Sequence, residues 1–134
     1  MTGHFLPVID DSETDEKEPV TRVIFCSGKV YYDLARARKS KSVRIVRLEQ
    51  FYPFPHELLQ HCIARYKQAR DWVWLQEEPQ NMGGWSFIER RLSEFLPAGQ
   101  SLRYLGRQAS GSTATGFSTI HQMEQQQLVA DALA

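Results

Sequence analysis

Four short runs rich in β-branched or aromatic residues, RVIFC (22–26), VRIVRL (43–48), WVWL (72–75) and LRYL (102–105), are separated by longer segments with helical spacing. Each run has the length of a strand, and each segment between them has room for a crossover helix. No other feature constrains the chain as much. Strands joined by crossover helices run parallel, and right-handed crossovers lay the helices on both sheet faces. The predicted class is α/β, a three-layer α/β/α sandwich. FLPVI at 5–9 reads as a fifth strand; Pro7 has no N–H for a ladder, which confines that strand to an edge.

The connections carry their own pattern. Val30, Leu34 and Ala37 mark a first helix from about Lys29. In the second connection Leu59, Cys62, Ile63, Tyr66 and Ala69 share one helical face. Ile88, Leu92, Phe95 and Leu96 repeat the arrangement until Pro97 and Gly99 stop it. A last helix, from about Thr119, would present Ile120, Met123, Ala130 and Leu133, with Gln127 interrupting that face. The organisation read from this is an edge strand at 1–9, an acidic linker at 10–20 closed by Pro19, and one α/β domain at 21–134 with a Gly/Ser/Thr loop at 110–119.

Charge and cysteines narrow the function. Lys plus Arg and Asp plus Glu balance at 16 each, which argues against a nucleic-acid binder with a basic excess. The charge is nonetheless segregated: acids crowd 10–18, whereas Arg36, Arg38, Lys39, Lys41, Arg44 and Arg47 form a stretch without an acid. Such runs are ordinarily solvated surface, and an anion contact is the competing reading. Cys26 and Cys62 show no ligand spacing and read as reduced core thiols, as expected in a cytoplasm or mitochondrial matrix. No apolar run approaches the ~20 residues of a membrane helix, and no signal peptide opens the chain.

In open parallel sheets, ligands and partners meet the loops at the carboxyl ends of the strands. Those loops are SGK (27–29), EQFYPFP (49–55), QEEPQNMGG (76–84) and GRQASGSTATG (106–116). Ser27, Gly28 and Lys29 invite a phosphate, but a Walker loop needs Gly where Val23 stands and Ser or Thr where Val30 stands. No GxGxxG follows a strand. Glu77 and Glu78 are adjacent, so in extended chain their side chains point to opposite faces and do not converge on one bond as paired carboxylates must. One would face solvent or a partner, and the other would accept N–H groups from the turn that Gly83 and Gly84 permit. His4, His56, His61 and His121 form no HExxH, and no GxSxG elbow is present. By its residues alone the chain is a doubly wound domain without a self-contained catalytic set.

Five motifs in order, CSGKVYYDL (26–34), IVRLEQFYPFP (45–55), WLQEEPQNMGGW (74–85), SLRYLGRQAS (101–110) and IHQMEQQQLVADAL (120–133), with HFLPVIDD (4–11) ahead of them, resemble the C-terminal end of the decarboxylating first component of 2-oxoglutarate dehydrogenase. The resemblance implies a transketolase C-terminal-like fold, a mixed five-stranded sheet whose first strand is an antiparallel edge. It implies a parent that uses thiamine diphosphate and Mg2+, decarboxylates 2-oxoglutarate in the tricarboxylic acid cycle and passes a succinyl group to a lipoyl carrier. The parent's catalytic and cofactor-binding residues lie upstream, so the resemblance implies none here. A homologous 2-oxoadipate first component is the alternative parent. The implied partners are the upstream domains, the dimer mate and the dihydrolipoyl succinyltransferase core; an isolated domain is expected to self-associate.

The resemblance assigns Gln76, Glu77, Glu78, Asn81 and Gly84 to an interface with neighbouring domains. Actinobacterial members carry an acetyl-coenzyme A site in this region, of which only Gln50 matches; His4, Pro7, Glu57 and Leu58 stand at the other positions. Tight coenzyme A regulation is therefore not expected. A regulatory nucleotide held by Lys29 or by Arg44 and Arg47 stays open as a second reading.

Overall fold

In the computed structural model, residues 8–10, 19–107 and 118–134 are described, without the side chains of Asp10, Arg107 and residues 118–121. Among the described residues the elements follow in the order β1 (Val8–Asp10), β2 (Arg22–Cys26), α1 (Val30–Ala37), β3 (Val43–Leu48), α2 (His56–Arg65), β4 (Asp71–Pro79), α3 (Trp85–Ser93), β5 (Leu102–Arg107) and α4 (Ser118–Leu133). The sheet order is β1-β3-β2-β4-β5. β1 lies antiparallel to β3, with Val8 opposite Leu48, and the other pairs are parallel. The expected sandwich with a mixed sheet and an antiparallel edge strand is therefore present. Of the segment 5–9, residues 5–7, including Pro7, lie outside the described residues, as do 11–18 of the acidic linker; the strand itself continues through Asp10.

Alternation along the strands builds two cores. Val23, Phe25, Val46, Leu48, Trp72 and Trp74 pack with Leu59, Cys62 and Ile63 of α2 and Ile88 and Leu92 of α3. On the opposite face Ile24, Cys26, Val43, Ile45, Val73 and Leu75 meet Val30 and Leu34 of α1 and Leu128, Val129 and Ala132 of α4. Both faces are covered, which is why the strands read as continuous apolar runs.

Helix ends depart from the periodicity. Tyr66 and Ala69 are buried but lie beyond α2, in turns closed by Tyr66 N–H to Ile63 C=O and Ala69 N–H to Tyr66 C=O. Phe95 and Leu96 likewise follow α3, where each N–H reaches the carbonyl three residues back. Tight i→i+3 turns keep apolar side chains near the helical face, so spacing alone does not reveal where the α-helix stops. Ala37 is exposed rather than buried.

The face expected for α4 is only partly right: Leu133 packs against the core, Met123 and Ala130 do not, and the Ile120 side chain lies outside the described residues. Leu128, Val129 and Ala132 are buried, Leu133 is half-buried, Met123 is 63% exposed and Ala130 is exposed. Leu128, Val129 and Ala132 fall at i, i+1 and i+4 and so share a helical face, which seats on Ile24, Val43, Ile45 and Val73 of the sheet. Gln127 interrupts nothing: it lies outside and donates to Asp131. Residues 108–117 of the expected 110–119 loop lie outside the described residues, while Ser118 and Thr119 already belong to α4.

Candidate functional site

QEEP is not loop. β4 runs on through Pro79, and its register with β5 shifts between Gln76 and Pro79. The turn that follows is organised by Gln76, which is 3% exposed. Its Oε1 accepts from Trp74 Nε1 at 2.9 Å and from the Trp85 N–H at 3.1 Å. Its Nε2 donates to the carbonyls of Met82 at 2.7 Å, Pro79 at 2.9 Å and Glu78 at 3.2 Å. A single neutral amide thus satisfies both ends of the connection into α3, because it offers an acceptor and donors at one position.

The glycine pair serves this turn too. Gly83 has φ +69°, a conformation that favours glycine, and a Cβ there would stand 2.7 Å from Glu78 Oε2. At Gly84 a Cβ would come within 3.0 Å of both Phe51 and Trp74. Side chains of the chain itself thus fill the space beside Gly84. Glu77 and Glu78 part as their adjacency requires. Glu77, in step with Val73 and Leu75, meets α4 and accepts from Gln125 Nε2 at 2.6 Å. Glu78 is exposed on the other side, towards Gly83. Neither takes the role of gathering N–H groups from the turn; Gln76 does. Asn81 is exposed on the same turn, and Tyr52, on the neighbouring 49–55 loop, is 89% exposed.

Lys29, Arg44, Arg47 and Gln50, the residues weighed for an anion or nucleotide, lie in separate surroundings. Arg44 is 1% exposed, donates to Lys41 C=O at 2.9 Å and, by alternation, shares a face with Val46. Arg47 lies on the opposite face. Its guanidinium stands 4.8 Å from the Tyr31 ring and 5.4 Å from that of Tyr32, donates to Tyr32 Oη at 3.0 Å and forms an ion pair with Glu49 at 2.7 Å. The hydrogen bond from Arg47 to Tyr32 and the Glu49 charge hold the guanidinium proton more tightly than usual. Gln50 donates to Pro53 C=O at 2.8 Å within its own loop. Lys29 is exposed at the start of α1, where it lines a cleft between α1 and α4.

Sequence reading missed Gln125, which donates to both Asp33 at 3.2 Å and Glu77 at 2.6 Å, and the stacking of Arg47 on two tyrosines. It also missed Asp71, which accepts from Arg22 at 2.7 Å and from Arg103 at 3.0 and 3.1 Å, while Arg22 reaches on to the carbonyls of Ala132 and Ala134. These contacts join residues 15 to 112 positions apart, beyond what local spacing can pair. Cys26 is chemically quiet, since burial, aided by Glu49, pushes its thiol up to about 12. Among the described residues no three His, Cys, Asp or Glu side chains are arranged to hold a metal, and no helix is long and apolar enough to cross a membrane.

Residues 1–133 match the family described as 2-oxoglutarate dehydrogenase C-terminal. The chain is 43% identical to the 2-oxoglutarate dehydrogenase E1 component of Haemophilus influenzae, with 100% of this chain and 15% of that protein covered. It is 44% identical to the 2-oxoglutarate dehydrogenase E1 component of Cupriavidus necator, covering 98% of this chain and 14% of that one. It is 45% identical to a probable 2-oxoadipate dehydrogenase complex component E1 homolog of Dictyostelium discoideum, covering 96% and 15%. The chain thus spans only 14–15% of the length of these relatives. With the mixed sheet in place and the match running almost end to end, the chain belongs to the 2-oxoglutarate dehydrogenase C-terminal family.

Proposed function

We propose that this chain is the assembly region of a thiamine-diphosphate-dependent first component that decarboxylates 2-oxoglutarate and hands the succinyl group to a lipoyl carrier. The observation that carries the reading is the match over residues 1–133 to a family found in E1 components many times longer than this chain. The rim geometry supports it: Gln76 locks the turn after β4, so Glu78, Asn81 and the neighbouring Tyr52 are presented on a rigid scaffold. A pre-organised exposed aromatic beside polar groups suits an interface that must be recognised with little loss of freedom.

The residues described do not fit the cofactor itself. A thiamine diphosphate and Mg2+ unit needs oxygen ligands for the metal and converging donors for the diphosphate. Among the described residues no three His, Cys, Asp or Glu side chains are arranged as ligands, and Lys29, Arg44 and Arg47 lie in separate surroundings. In this proposal the chemistry belongs to upstream domains, and the chain supplies part of the surface on which they and a dimer mate settle. Two of the three relatives above carry the 2-oxoglutarate name, which favours that parent over the 2-oxoadipate one.

The test replaces the matching region of the Haemophilus influenzae E1 component with this chain and measures carbon dioxide release from 2-oxoglutarate with thiamine diphosphate and Mg2+. The chimera is expected to be active, the truncated enzyme and this chain alone silent. A chimera that folds and dimerises yet is no more active than the truncated enzyme overturns the proposal, and so does decarboxylation by this chain alone.

A further inference from the structure

The strand order places β2 centrally, between β3 and β4. The connection leaving β2 enters α1 on one face, while that leaving β4 enters α3 on the other. Their carboxyl ends therefore part, and such a switch point is where open α/β sheets form a ligand crevice. A cleft of about 990 Å3 runs between α1 and α4 on one face of the sheet and reaches this rim at Lys29 and Glu77, with Tyr32, Asp33, Gln125 and Val129 also in its lining. This is at the upper end of the roughly 300–1,000 Å3 of small-molecule sites.

The charged groups in the lining differ in how far they are already engaged. Asp33 is occupied on both oxygens, by Arg36 and by Gln125. Glu77 accepts from Gln125, and none of the described ion pairs includes Glu77 or Lys29. Gly28, at φ +79°, turns the chain out of β2 and sets Lys29 at the cleft. One wall therefore offers a carboxylate with bonding capacity left, and the lip offers an ammonium that it does not pair with. A ligand carrying only negative charge would meet Glu77 and Asp33, and one carrying only positive charge would meet Lys29 and Arg36; like-charge juxtaposition is costly. Val129 and the Tyr32 ring offer an apolar strip for a short carbon chain.

We infer that this cleft binds a small zwitterion of the amino-acid or dipeptide class, its ammonium on Glu77 and its carboxylate on Lys29. The inference is independent of the assembly role. The test titrates the full chain, followed by amide NMR, with glycine, 4-aminobutyrate and glycylglycine, and with methylammonium and acetate as single-charge probes. At least one zwitterion is expected to saturate and to shift the Lys29 and Glu77 amides. Both single-charge probes should bind at least about tenfold more weakly, and K29M and E77Q should each weaken the zwitterion by about tenfold or more. Three outcomes overturn the inference: no zwitterion saturates by about 10 mM, acetate or methylammonium binds as well, or the variants bind unchanged. Should E77Q fail to fold, K29M alters an exposed side chain and decides the matter alone.

Discussion

Replacing Gln76 with Leu tests the central claim about the rim. The leucine keeps the apolar bulk and removes every hydrogen bond. The carbonyls of Glu78 and Met82 belong to exposed residues that water can reach, so their loss costs little. Trp74 is buried, and its Nε1 together with the Trp85 N–H would lose their acceptor. A buried donor left unsatisfied costs about 1–3 kcal/mol, so two give about 2–6 kcal/mol. Burying leucine in place of an amide returns about 1 kcal/mol, for a net loss of about 1–5 kcal/mol. For a chain of 134 residues that is a fall in Tm of about 4–18 °C. Urea unfolding followed by tryptophan fluorescence measures it directly, since Trp74 and Trp85 flank the site. Gln76→Glu keeps an acceptor for Trp74 and Trp85 but should still be worse, because it buries a charge and sets a carboxylate oxygen against the carbonyl oxygens of Pro79 and Met82. A Gln76→Leu midpoint within about 0.5 kcal/mol of the parent would refute the reasoning, and so would Gln76→Glu being the milder change.

Three further outcomes are expected. The Arg103 hydrogen bonds, with Arg22 adding to them, hold the Asp71 carboxyl below its ordinary 3.8. Its contribution is therefore full above that value and is lost as pH falls through the lower folded value; Asp71→Asn should cost about 1 kcal/mol at pH 7 in low salt and progressively less in acid, as acid-to-neutral urea titrations would show. Cys26, its thiol pushed up to about 12 from 9.0, should resist iodoacetamide at pH 8 until the protein unfolds, and its contribution to stability should decline as pH rises from 9.0 towards 12; rapid labelling of the native chain would contradict this. Gly84→Ala presses a methyl against Phe51 and Trp74 at 3.0 Å and should destabilise by about 1–3 kcal/mol in urea unfolding, whereas a neutral result would mean that the rings move aside freely.

Two properties of this protein were written in local sequence. The alternation of apolar runs with helically spaced segments dictates a doubly wound sheet, because a backbone buried on both faces needs continuous apolar strands and connections long enough to cross over. The adjacency of Glu77 and Glu78 dictates that they part, since side chains alternate along extended chain. The motifs identify the family because many positions have to agree at once.

Packing decided the rest. QEEP reads as loop by composition, yet it extends β4 because Gln76 finds its partners in a turn six to nine residues further on. Arg44 and Arg47 look like a pair in sequence and are separated by the sheet itself. The rotation of α4 follows from Leu128, Val129 and Ala132 seating on β-strand residues that no helical period names, and only that rotation brings Gln125 between Asp33 and Glu77. Local rules give each element its faces, but which face meets which neighbour depends on the area that every element buries against all the others at once.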